Sequence, residues 1–415
     1  YLLLYTLLLI CLFIDFYNWY RLEILVKDFG NVFGTYCNDE NALAFSKRPT
    51  YEFSVRFLDR VAQETNYHFV FSPLSTWLQL MSLAEGARGS TQSEIWKVTR
   101  HHRMKCLRRK FREILNSMDE ELSFMTKRTN VIVIDKLLDV KESFINEVRK
   151  TNTTKIFSLN FNNPAQAAAK INEAIDMDMN DIDSAFDAND FNLTVLLMTD
   201  TAYFKSDWLK PFNPVYTSKE TFYSEQKVAI GKVRLMHQEE NFNLTEVPLI
   251  NARVLELPFN TSNRISILIF LPIEGTVNDL FYNLKSIRLT TIFNRFKAEG
   301  TKFVKVKLPR FKITSELRNI PELVYDMGVK RMFYPELADF GGITDYPVYA
   351  SLMTQIADLE ITEQSARASI MPDTIRIPDD SMQTFSADSP FAYLIVDRFT
   401  EVILFGGMYR HPSIY

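Results

Sequence analysis

Glu363-Gln364-Ser365-Ala366-Arg367-Ala368-Ser369-Ile370-Met371-Pro372-Asp373-Thr374-Ile375-Arg376-Ile377-Pro378-Asp379-Asp380 is the stretch on which the reading of this chain turns. It is irregular, but both of its flanks read as buried strands. Ile356 to Ile361 before it and Phe385 to Val396 after it are rich in β-branched and aromatic residues. A long irregular segment held between two core strands is usually functional. The expectation is therefore a displayed loop whose two ends are fixed in sheet.

The remainder of the chain is large enough to supply that sheet. Of its 415 residues 47% are apolar and 24% charged, and the formal net charge is -4. These are ordinary values for a soluble globular protein, and the charge favours neither nucleic acid nor an acidic membrane surface. No Pro/Gly/Ser linker or charge block divides the chain after residue 51, so 51–415 reads as one large domain, expected to be monomeric. Residues 1–14 are uncharged and strongly apolar up to Asp15. That length suits a signal-peptide core and is short for a membrane span, so a secreted, extracellular protein is expected. Residues 15–50 carry no clear period and stand as an N-terminal extension of unreadable role.

Cysteines and sequons bear on the same question. Once Cys11 leaves with the apolar segment, Cys37 and Cys106 remain, and two cysteines allow one bridge or none. Asn152, Asn192, Asn243 and Asn260 each open an Asn-X-Ser/Thr pattern without proline, which marks them as candidate N-glycosylation sites.

Along the chain, Phe53, Phe57 and Val61 follow helical spacing, and Leu78 to Leu83 read as a buried helix closing near Gly86. Between Lys97 and Arg112 there are eight Lys or Arg and no acid. Lys105, Arg108, Arg109 and Arg112 fall on one helical face, where they could bind a polyanion or form a solvated stripe balanced by nearby acids. Asn130 to Ile134, Val195 to Met198, Ile265 to Leu271 and Phe303 to Leu308 read as strands. Ala165 to Ile175 and Leu317 to Met327 read as helices, the second closed by Gly328. Asp176 to Asp190 is acid-rich and expected to be exposed. Strands mixed with helices in no strict βαβ order give an α+β class. No GxSxG elbow, HExxH, Walker loop or paired CxxC occurs, and His101 and His102 are adjacent, so on a helix they point apart. Neither an enzyme nor a cofactor or metal site is expected.

Seven landmarks then fall in one order: Phe71-Ser72-Pro73-Leu74-Ser75; Leu83 to Thr91; Ala202 to Trp208 with Pro211-Phe212; Leu255 to Phe259; Leu308 to Lys312; Phe385 to Phe391; and Leu404-Phe405-Gly406. In this order and spacing the chain resembles the serpin family over roughly Tyr51 to Pro412, with a slighter likeness to secreted insect members, including those of male accessory glands. The resemblance implies three β-sheets, about eight or nine helices and an exposed reactive-centre loop, here 363–389. It also implies a secreted serine protease as partner, and the corresponding helix of some members binds sulphated polyanions.

What the family's loop does imposes a pattern on its residues. On cleavage it enters the main sheet as a new strand, so alternate side chains must be small or apolar. Matching Glu363 to the family's acidic hinge position sends Ala366, Ala368, Ile370, Pro372 and Thr374 inward and leaves Arg367 and Ser369 in solvent. Gln364 precedes two departures: Ser365 stands where the family has Gly, and Pro372 has no N–H for a ladder. The family's loop length places the reactive bond at Asp379–Asp380. The alternative, Arg376–Ile377, suits a trypsin-like enzyme and shortens the tether by about 10 Å. The family's shutter beneath the sheet corresponds to Ser72, Ser75, Asp200 and Gln355, with Asp and Gln replacing Asn and His. These departures admit an alternative, a non-inhibitory member that is cut as a substrate or acts by binding.

Overall fold

The apolar runs become strands and the helical-period segments become helices, interleaved as an α+β chain requires. The structure, a computed structural model, describes residues 36–150, 154–176, 185–192, 194–259, 264–363 and 382–415. Nine α-helices occur among the described residues: α1 (Asp39–Glu64), α2 (Pro73–Gly86), α3 (Gly89–Thr99), α4 (Lys105–Glu121), α5 (Glu142–Val148), α6 (Pro164–Asp176), α7 (Leu280–Leu284), α8 (Leu289–Glu299) and α9 (Ile320–Met327). The strands are β1 (Phe69–Phe71), β2 (Thr126–Asp135), β3 (Thr154–Leu159), β4 (Leu196–Lys205), β5 (Ser218–Tyr223), β6 (Ala229–Val247), β7 (Ala252–Pro258), β8 (Ile265–Pro272), β9 (Lys302–Pro309), β10 (Phe311–Leu317), β11 (Ala350–Ile361), β12 (Gln383–Ser386), β13 (Phe391–Asp397) and β14 (Val402–Tyr409).

Among the described residues three sheets result, two of which share one long strand. The N-terminal half of β6 pairs with β5 and β9, and β9 carries β12; its C-terminal half pairs with β7 and leads through β8, β13 and β14 to β1. The β8, β13 and β14 runs are buried almost throughout, as continuous apolar strands must be when both faces are covered. Close approach explains the glycine after the Leu404-Phe405-Gly406 landmark. A Cβ on Gly407 would lie 2.1 Å from the Phe69 carbonyl oxygen, so no larger residue fits.

The third sheet runs β10-β11-β4-β2-β3. Its centre is a parallel pair, β11 on β4, from Ala350 opposite Leu196 to Glu360 opposite Lys205. Helix α2 packs beneath this sheet, and α6 lies across its other face. The run after the loop splits between two sheets: Gln383–Ser386 joins β9, and Phe391–Asp397 joins the buried sheet.

Three expectations need correction. The apolar spacing from Tyr51 marks only the second half of α1, which begins at Asp39 behind an Asn38 cap whose side chain accepts from Asn41 N at 2.8 Å. Polar residues and Pro49 hide the first half from a periodicity reading, yet Ala42 is buried there. Second, the acid-rich stretch ending at Asp190 is not wholly exposed: Ala185 and Phe186 are buried on the α6 face of the sheet. The α9 helix also starts at Ile320 rather than Leu317, because β10 keeps pairing as far as Leu317 opposite Gln355.

Candidate functional site: the loop base and the seam beneath it

The loop leaves from the top of the β11–β4 seam, where several side chains fix its first residue. Lys205 Nζ pairs with Glu360 Oε2 at 2.8 Å across the seam. Trp208, stacked on Phe259 with ring centres 4.5 Å apart, donates Nε1–H to the Thr362 carbonyl at 2.6 Å. Glu363 is then buried between two partners: Thr217 Oγ1 donates to its Oε1 at 2.8 Å, and Arg310 Nη1 lies 3.3 Å from its Oε2. Nothing in the local sequence signals this clamp, since Thr217 and Arg310 lie far from Glu363 along the chain. The hinge positions Gln364, Ser365, Ala366, Arg367, Ala368, Ser369, Ile370 and Pro372 lie outside the described residues. So do both candidate reactive bonds, Asp379–Asp380 and Arg376–Ile377.

Half-way down, the four shutter residues meet under the sheet. Gln355 and Asp200 are register partners, and Ser72 stands at the N-terminal end of α2 below them, its side chain making no capping hydrogen bond. Gln355 Nε2 donates to the Ser72 carbonyl at 2.9 Å and to Asp200 Oδ2 at 3.2 Å, while its Oε1 accepts from Ser72 N at 2.6 Å. Ser75 Oγ donates to Ser72 Oγ at 3.1 Å. Complete burial pushes the Asp200 carboxyl well above the usual carboxylate range; the hydrogen bond from Gln355 and the charge of Arg128 oppose this only in part. Asp200 therefore holds its proton to a higher pH than an exposed carboxyl does. On the opposite face Thr354 Oγ1 donates to Thr199 Oγ1 at 2.7 Å, again across the seam.

The basic stripe is not a free cationic face. Arg108 and Arg112 are about nine-tenths buried and turn inward to two acids from other helices. Arg112 reaches Glu85 at 3.3 Å and Glu147 at 3.1 Å, and Arg108 Nε lies 3.6 Å from Glu85. Burial pushes the Glu147 carboxyl up, but hydrogen bonds and charge from Lys150, Arg112 and Lys105 outweigh it and hold it at about 2. Lys105 and Arg109 are the exposed members of the four.

Cys37 and Cys106 form a disulfide that ties the start of α1 to the start of α4. Of the sequons, Asn192 is exposed, whereas Asn243 lies inside β6 with its amide donating to Glu256 Oε2 at 2.7 Å. Asn152 and Asn260 lie outside the described residues. His68 and His411, distant in sequence, meet with ring centres 5.1 Å apart, and His68 Nδ1 accepts from Arg410 N at 3.1 Å.

Comparison with known proteins agrees over nearly the whole chain. The family model described as Serpin (serine protease inhibitor) matches residues 49–412. An uncharacterized serpin-like protein of Thermococcus kodakarensis is 30% identical over 365 residues, covering 84% of this chain and 82% of its own. Serpin B5 of Xenopus laevis is 27% identical over 358 residues, covering 83% and 91%. Among solved structures, native protease nexin-1 with heparin superposes with a TM-score of 0.78 at 24% identity, covering 90% of this chain and 100% of its own. Manduca sexta serine protease inhibitor (Serpin)-12 gives 0.76 at 23%, covering 88% and 99%.

Proposed function

This chain belongs to the serpin family, and we propose that it offers the segment between Glu363 and β12, which begins at Gln383, outside the cell as a cleavable bait to a serine endopeptidase. It acts through a change of fold and not as a catalyst. The observation that carries the reading is the seam itself. β11 and β4 run parallel and bond directly to each other, in a sheet whose next strands outward, β10 and β2, are antiparallel to them. A strand returning from Glu363 would run antiparallel to both, replacing one parallel ladder with two antiparallel ones. Antiparallel pairing is slightly more stable per residue, so insertion is downhill once cleavage frees the loop. The Cys37–Cys106 disulfide supports an oxidising compartment and hence secretion.

Pro372 favours a second outcome for the same event. Without an N–H it interrupts the new ladder part-way, and attack at Arg376 shortens the tether, so hydrolysis of the acyl link outruns trapping. The protein is then cut as a substrate. A sulphated polyanion, suggested by the heparin in one structural neighbour, would find only Lys105 and Arg109 exposed on its stripe, and no such partner is proposed. Incubation with a panel of secreted serine proteases, read on a denaturing gel and by thermal unfolding of the cut product, tests the reading. Insertion predicts a cut form that melts tens of degrees higher; a cut form melting with the intact one overturns it.

A further inference from the structure

We infer that Arg318 is a clasp that holds the β4–β11 seam closed at mid-height and must let go before a returning strand can insert to full length. The second half of this inference rests on the insertion reading above. Arg318 directly follows β10, on the half of the sheet that moves away from β4 when the seam opens. All but one of its partners belong to the other half. Its Nη1 donates to Asp190 Oδ1 at 2.9 Å, its Nη2 donates to the Ala185 carbonyl, and its guanidinium lies 5.5 Å from the centre of the Phe186 ring. The remaining partner, Glu316, accepts from Nε at 2.7 Å and braces the fork from its own side.

The segment it grips is firmly attached to α6 and to the β2–β4 half. Asn172 of α6 holds Phe186 by both backbone groups, donating Nδ2–H to its carbonyl at 2.8 Å and accepting its N–H at 2.9 Å. Phe186 and Phe191 share one buried cluster with Val131, Val133 and Leu197 of that half, and Ile356 of β11 joins it from across the seam. Arg318 thus ties one half of the sheet to the other over the face that α6 covers. Its height is informative: its neighbour Leu317 is level with Gln355, which is level with Asp200. At this one level the seam is held by Gln355 to Asp200 beneath, Thr354 to Thr199 above and the Arg318 fork outermost. A planar, multiply bonded guanidinium suits this task, because it bonds a carboxylate and a carbonyl at once where an ammonium offers one compact charge.

Hydrogen exchange of the intact protein reads the clasp without any cleavage. Arg318→Gln and Asp190→Asn should each make amides in 196–205 and 350–361 exchange about fivefold faster, with β8 and β13 unchanged. The double variant should add little to either single one, since both break the same contact. Seam exchange at the wild-type rate in both single variants overturns the clasp. After cleavage at Arg376 by trypsin, the heat-stable form should build up about fivefold faster in Arg318→Gln than in wild type. Faster seam exchange without any heat-stable form in either protein keeps the clasp as a closure of the seam and overturns the insertion reading instead. Equal build-up in the two proteins overturns its role in insertion.

Discussion

Gln355 and Asp200 face each other at 3.2 Å across the parallel seam, one from β11 and one from β4, at the level where the sheet must part. Because burial raises the Asp200 carboxyl well above its ordinary pKa of 3.8 in the fold, the folded state holds on to a proton that the unfolded chain has already released. Stability contributed by this site is present at low pH and falls as pH rises from about 4. Asp200→Asn should therefore raise the melting temperature at pH 7 to 8 and leave it nearly unchanged near pH 4. Thermal unfolding across that range checks this; a gain of equal size at every pH would mean that shape, not charge, is responsible.

The paired arginines of α4 should behave as structural residues. Arg112→Ala removes the partner that Glu85 and Glu147 share, leaving Glu85 with Arg108 and Glu147 with Lys150 and Lys105, and should cost about 2 kcal/mol, since mostly buried hydrogen bonds between charged groups are lost. Lys105→Ala with Arg109→Ala should stay within about 0.5 kcal/mol of wild type. Urea denaturation separates the two cases. Retention on a sulphated column that drops sharply in the Lys105/Arg109 variant would revive the polyanion reading.

Removal of the disulfide should weaken the native fold without reaching the seam. With a sequence separation of 69 between the half-cystines, the chain-entropy model gives ~4 kcal/mol as the loss for Cys37→Ser with Cys106→Ser. The measurement is urea denaturation of the oxidised wild type against the double variant. Unchanged stability would show that the bridge constrains little in the unfolded chain.

Loop chemistry gives the last expectation. If the missing N–H of Pro372 is what stalls insertion, Pro372→Ala should increase the fraction of covalent protease complex more than any single change at Ser365 or Arg367. Densitometry of denaturing gels after reaction with a trypsin-like enzyme reports the partition. High complex yield from the unmodified protein would mean that the proline is accommodated at a bulge.

The sequence by itself determined several of the core strands and helices, among them Ile265–Pro272, Lys302–Pro309 and Pro164–Asp176, because those signals are local: apolar runs, helical spacing, a capping glycine at 328. It also determined the family, since seven landmarks in order are a property of the linear chain. Tertiary structure decided what the polar residues do. Gln355 meets Ser72 and Asp200 across long stretches of chain, Glu363 finds Thr217 and Arg310, and Arg318 reaches Asp190. The basic stripe shows the reason most plainly. Spacing placed four cations on one face of α4, but whether a charge is free or neutralised depends on which acids the fold brings beside it, and Glu85 and Glu147 arrive from α2 and α5. The two cysteines are alike in this: spacing left one bridge or none, and only the meeting of the α1 and α4 starts brings the two sulfurs within bonding reach.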